Sequence, residues 1–133
     1  MRAHPRIVAV HALLFLACWL GIRYFHTGGD GIVFLCYPIA AGLFAGFFCA
    51  PRWGFSVGTG NMVMIAQGIG IVAMNAHEHA THPELSHCDM TFLAVMICTP
   101  IGMALLSAIA AVARGLRWIG DRLYLAYAAQ QRS

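Results

Sequence analysis

Charge is scarce in this sequence: only 10% of its 133 residues are Asp, Glu, Lys or Arg, and lysine is absent. Soluble domains contain about 25% charged residues. With 60% hydrophobic residues, a chain of this length is too apolar to hide its surface in one soluble core. The deficit excludes an ordinary soluble domain and indicates that a lipid bilayer surrounds most of the chain.

Acidic residues are missing from the apolar stretches. All five carboxylates lie outside them, at Asp30, Glu78, Glu84, Asp89 and Asp121. Proton-coupled transport usually needs a buried carboxylate or histidine, and only His11 lies within an apolar stretch. The same shortage argues against a membrane haem, because a bis-histidine site needs a second histidine at similar depth.

Paired cysteines and catalytic neighbours are also missing. None of the five cysteines forms a Cys-x-x-Cys pair, which argues against a zinc ribbon or a dithiol redox centre. No serine or cysteine has an evident base beside it, so we expect no enzymatic activity. The arginines form no patch, so we expect no nucleic-acid partner.

Four apolar runs dominate what remains. Each is about as long as the ~20 helical residues that cross a bilayer. The sequence therefore predicts an all-α, polytopic membrane protein with a single domain, 1–133. The predicted spans are about 7–23, 32–50, 55–75 and 90–113.

The C-terminal region, 114–131, interleaves basic residues with apolar and aromatic ones. This pattern is typical of an amphipathic helix that lies along a membrane surface. A simple extension of the fourth helix explains the pattern equally well.

Arginine positions predict the orientation, because cytoplasmic loops carry the excess of basic residues. With four spans and a cytoplasmic N-terminus, one side holds only Arg23 of the eight arginines. The other side holds Arg2, Arg6, Arg52, Arg114, Arg117, Arg122 and Arg132. We therefore expect a multi-pass protein of the cell inner (plasma) membrane with both termini in the cytoplasm.

Small residues four apart indicate where helices pack closely in lipid. Gly42 and Gly46 form such a pair in the second run, and Ala66 and Gly70 form one in the third. Asn61 and Gln67 lie within the third run, where we expect either hydrogen bonds to other helices or a place in the lining of a pore or ligand site. These features predict a compact bundle that associates with other membrane subunits or with itself.

The polar segment (75–89) separates the third and fourth runs and holds four of the seven histidines. Imidazole and thiolate groups are ligands of Zn, Cu or Ni. The candidate metal ligands are His77, His79, His82, His87 and Cys88. A solvated loop without metal, or a loop whose histidines charge together near pH ~6, explains the same composition. Pro83 ends any helix in this segment.

Three functions fit these observations. The first is a non-catalytic accessory or structural subunit of a membrane complex. The second is a transition-metal binding or transport protein that uses the polar segment as its exterior entry site. The third is a membrane immunity or exclusion factor, which the sequence does not distinguish from the first.

Overall fold

The computed structural model describes residues 4–25, 33–82 and 88–131, and the regular structure in these ranges is entirely helical. Four α-helices follow one another: α1 (Pro5–Phe25), α2 (Val33–Phe48), α3 (Trp53–Thr81) and α4 (Cys88–Gln130). A short 3-10 turn, Ala50–Arg52, joins α2 to α3. The all-α prediction is therefore confirmed for the described part of the chain.

Adjacent helices run in opposite directions. Gly60 on α3 lies against Leu106 on α4, whereas Gly68, further along α3, meets Val95, which precedes Leu106 on α4. Gly42 of α2 lies against Leu106, and Gly46, one turn later, lies against Ala113, so α2 and α4 run parallel. The result is an up-down-up-down bundle, the arrangement that short connections favour.

The closest helix contact joins α2 to α4 at Gly42 and Gly46. A Cβ atom added at Gly42 would lie 2.9 Å from Ile109 Cβ, and one added at Gly46 would lie 2.5 Å from Ala113 Cβ. Only glycine permits this approach of the two backbones. The small-residue pair predicted on the second run therefore packs against α4.

Helix α4 is continuous for 43 residues, which is about 64 Å at 1.5 Å per residue. The C-terminal region is thus an extension of the fourth helix rather than a separate helix on the surface. Arg114 lies level with Ala50 in the α2–α3 connection. Residues 115–130 of α4 consequently project beyond the end of α2.

Helix α3 contains 29 residues, or about 43 Å, and continues past residue 75, where the predicted third span ends. It stops at Thr81, two positions before Pro83, because the residue preceding a proline is disfavoured in helical conformation. The predicted effect of Pro83 agrees with this boundary. The first part of the polar segment is therefore the last two turns of a helix and not a loop.

Two described segments are long and apolar enough to cross a membrane: Ala50–Thr81, whose most apolar stretch has mean hydropathy 1.5, and Met90–Gln130, whose most apolar stretch has mean hydropathy 2.2. Only 17% of the most apolar stretch of each is buried within the chain. A core helix of a soluble protein would be mostly buried. The described apolar parts of α1 and α2, Pro5–Gly21 and Leu35–Phe48, are shorter.

Candidate functional site

A buried polar cluster joins the first three helices. His11 of α1 lies 3.0 Å from the Tyr37 hydroxyl of α2 through Nδ1, and 2.8 Å from the Ser56 hydroxyl of α3 through Nε2. All three side chains are fully buried, with 0% exposure. We name these three residues the histidine cluster.

Aromatic side chains and a glycine enclose the histidine cluster. Phe44 lies edge-on to the His11 ring at 5.6 Å, and Phe15 lies edge-on to the Tyr37 ring at 5.7 Å. A Cβ atom at Gly60 would lie 3.2 Å from His11 Cε1. Glycine at position 60 therefore makes room for the imidazole against α3.

The hydrogen bonds of the cluster are complete in either neutral tautomer of His11. A neutral imidazole has one donor and one acceptor nitrogen, and a hydroxyl can donate or accept. One hydroxyl therefore donates to the ring while the other accepts from it. Because an unpaired buried polar group is costly, the two bonds hold α1 to α2 through Tyr37 and to α3 through Ser56.

The contact between Ser56 and His11 also has the geometry of a nucleophile and its base. Sequence reasoning missed this pair, because the two residues are 45 positions apart and lie on different helices. The third partner is the Tyr37 phenol rather than a carboxylate. With no exposed surface on Ser56 or His11, a substrate has no path to the hydroxyl. The arrangement favours a structural role.

A second feature is an open groove between α1 and α3, with a volume of about 700 Å³. Its lining is almost entirely apolar and includes Trp19 on α1 and Ala66, Gln67 and Gly70 on α3. The amide oxygen of Gln67 is buried and has no hydrogen-bond partner among the described residues. We name this feature the α1–α3 groove.

The hydrogen bonds expected between helices for the two amides of α3 are therefore missing at their oxygens. Asn61 Oδ1, like Gln67 Oε1, is buried without a partner in the described ranges. Thr99 Oγ1 of α4 is in the same state and lies beside a smaller groove of about 540 Å³ between α3 and α4. These three oxygens mark unpaired polar positions in an otherwise apolar interior of the described bundle.

The described residues do not assemble the predicted metal ligands. His77 and His79 are exposed on α3, about 200° apart around the helix, and so point to different sides. His82 caps the end of α3, three positions after His79. His87 and the side chain of Cys88 lie outside the described residues. Across residues 4–25, 33–82 and 88–131, no group of three or more His, Cys, Asp or Glu side chains is placed to hold a metal ion.

Comparison with known proteins adds no relative. No protein-family model matches the chain, and no curated protein or solved structure is significantly similar to it. Function is therefore inferred from the histidine cluster and the two grooves.

Proposed function

We propose that this chain is a non-catalytic integral membrane protein that acts as an accessory subunit. It holds a transmembrane helix of another subunit in the α1–α3 groove. The observation that carries the proposal is the open small-residue face of Ala66 and Gly70 in a groove that is almost entirely apolar. In lipid, close packing of small residues drives the association of helices, because no hydrophobic force acts between them.

The small residues beside Gln67 support a helix as the occupant. Gly42 and Gly46 on α2 are used within the chain, against α4. In contrast, Ala66 is exposed, and a Cβ atom at Gly70 would meet nothing within 4 Å. The same small-residue spacing that brings α4 onto α2 is thus left open on α3, where it permits close approach of a further helix.

The outward surface supports lipid as the surroundings. Large apolar side chains are exposed on every helix, including Leu13 at 63%, Phe48 at 77%, Ile69 at 66% and Leu93 at 54%. In water this surface would cause aggregation. We propose that all four helices cross the inner membrane, with both termini and the projecting end of α4 in the cytoplasm and residues 77–82 outside.

Purification in mild detergent tests the proposal. We expect the full chain, expressed in its native host from its own locus with a C-terminal tag, to copurify with one other membrane protein in stoichiometric amount. Gly70→Leu fills the groove and should reduce the copurified partner at least tenfold, because it blocks close approach. Gly58→Leu is the matched control. Gly58 is also an exposed glycine of α3 with nothing within 4 Å of an added Cβ, but it does not line the groove.

Two results would contradict the accessory role. A chain that elutes alone as a monomer in mild detergent has no stable partner. A homo-oligomer that Gly70→Leu dissociates assigns the groove to a second copy instead of a different subunit. Unchanged copurification in Gly70→Leu, or equal loss in Gly70→Leu and Gly58→Leu, would show that the α1–α3 groove is not the binding site.

The metal-handling alternative is tested separately by zinc titration of the purified chain. The accessory role predicts no stoichiometric binding. One zinc ion per chain, lost in the double variant His79→Ala with His82→Ala but retained in His77→Ala, would favour the metal function. His77 is the control because it lies on the other side of α3 from His79.

An immunity or exclusion factor would instead copurify with a protein delivered from outside the cell.

A further inference from the structure

A pocket of about 420 Å³ lies where α4 passes the connection between α2 and α3. Arginine and tryptophan side chains form much of its wall: Trp53 from the start of α3, and Arg114, Arg117 and Trp118 from α4. Its size falls within the ~300–1,000 Å³ of ordinary small-molecule sites. Neither the histidine cluster nor the α1–α3 groove shares a residue with it.

Hydrogen bonds to the backbone hold both guanidinium groups in place. Arg114 Nη1 donates to the Ala50 carbonyl oxygen, and Arg117 Nη1 donates to the Phe47 carbonyl oxygen. The Arg114 guanidinium also stacks on the Trp53 ring, 5.7 Å from its centroid. Each guanidinium has five N–H donors, so one bond to a carbonyl leaves donors for a ligand while it restricts the side chain.

The pocket carries a net positive charge. Asp121 is the acidic residue in the wall, and its Oδ2 lies 3.9 Å from Arg117 Nε. That contact is long for a hydrogen bond, and the Asp121 side chain is 70% exposed. Asp121 therefore offsets one of the two arginines through a screened contact. The first turn of α3, beside the pocket, contains no acidic residue.

We propose that this pocket binds the phosphate of an anionic phospholipid head group. Restricted guanidinium groups match the oxygen geometry of a phosphate better than mobile ammonium groups do. Tryptophan prefers the boundary between hydrocarbon and water, which is where a head group lies. Basic pockets between helix ends on the cytoplasmic side bind such head groups. The proposal relies on the membrane topology given above, but not on the partner subunit.

Lipid binding to the purified full chain tests the site. Native mass spectrometry from detergent compares phosphatidylglycerol with phosphatidylcholine at equal concentration. We expect one molecule of phosphatidylglycerol to be retained, with at least tenfold preference over the zwitterionic lipid. Inorganic phosphate is titrated in parallel and followed by tryptophan fluorescence, since Trp53 and Trp118 line the pocket.

Arg117→Gln and Arg122→Gln form the matched pair. Both remove one positive charge from the same helix, but Arg122 stacks on the Trp118 ring at 5.3 Å and does not line the pocket. We expect Arg117→Gln to weaken phosphatidylglycerol binding about tenfold or more, the effect of losing a charge-assisted hydrogen bond. Arg122→Gln should change it less than about threefold, the effect of a screened charge.

The outcomes separate the sources of the phosphate. Retention of phosphatidylglycerol that depends on Arg117 supports the lipid site. Saturable binding of inorganic phosphate with the same dependence, and no lipid preference, keeps the phosphate site and overturns the lipid as its source. Equal effects of the two substitutions, or no saturable binding of either ligand, would overturn the pocket altogether. None of these results depends on whether a partner subunit copurifies.

Discussion

Removing the Tyr37 hydroxyl tests whether the histidine cluster holds the bundle together. Tyr37→Phe keeps the aromatic ring, which packs edge-on to Phe15 at 5.7 Å. It deletes only the oxygen that lies 3.0 Å from His11 Nδ1. The substitution therefore leaves one buried ring nitrogen without a partner, while the contact between His11 Nε2 and Ser56 remains.

The expected loss is about 1 kcal/mol of unfolding free energy. A hydrogen bond between helices in lipid is worth about 0.6 kcal/mol on average and up to ~1.7 kcal/mol, less than in a soluble core because the unfolded chain also finds partners. We expect an energy in the upper half of that range, because all three side chains are fully buried. The unpaired nitrogen would therefore have no water molecule as a replacement partner. Ser56→Ala, which orphans Nε2, should cost about the same.

The measurement is equilibrium unfolding in mixed micelles of mild detergent and dodecyl sulfate, followed by circular dichroism. A loss of ~1 kcal/mol is about a fivefold change in the unfolding equilibrium constant. Tyr127→Phe is the control: its hydroxyl accepts a hydrogen bond from Gln131 at 2.8 Å on the exposed end of α4. Its stability should stay within about 0.5 kcal/mol of the original chain.

A Tyr37→Phe chain as stable as the Tyr127→Phe control would contradict the structural role of the histidine cluster. A Ser56→Ala chain more stable than the original chain would contradict it as well. The first result would mean that the Tyr37 contact contributes nothing to stability, and the second that the histidine cluster is maintained at a cost in stability, as a functional group is.

Two further predictions concern packing and chemistry. Gly46→Ala should destabilise the chain by about 1–3 kcal/mol, because the new Cβ would lie 2.6 Å from the Ala110 carbonyl oxygen. Gly58→Ala, with nothing within 4 Å, should be neutral or stabilising by up to ~1 kcal/mol; equal losses in both would contradict the tight α2–α4 contact. A fluorophosphonate probe should leave Ser56 of the native chain unlabelled, since the residue is fully buried. A covalent adduct detected there by mass spectrometry would establish a reachable nucleophile and overturn the non-catalytic role.

Local sequence predicted the parts of the fold that depend on neighbouring residues. Apolar runs predicted helices, the spacing of Gly42 and Gly46 predicted a close helix contact, and Pro83 predicted the end of α3. Each of these effects acts within one or two helical turns, so a linear pattern carries it. The continuity of α4 through Arg114 was left open, because a basic amphipathic pattern suits both a bent and a straight path.

Most of the candidate site could not be predicted from local sequence patterns. The histidine cluster joins residues 26 and 45 positions apart on separate helices, and no spacing rule relates them. The composition of the polar segment predicted a metal site, yet the helix geometry places His77 and His79 on different sides of α3. Gln67 was expected to form a hydrogen bond to another helix or to line a pore or ligand site, but which side of α3 faces a neighbour depends on how the other helices are placed.

Composition and short-range pattern are enough to determine the helical content of this chain and its apolar character. Tertiary structure alone decided which polar groups meet: His11 with Tyr37 and Ser56, and the Arg114 and Arg117 side chains with the end of α2. It also decided which polar atoms lack a partner among the described residues, including the amide oxygen of Gln67. Hydrogen bonds require specific distances between distant residues, and only the packed helices set those distances.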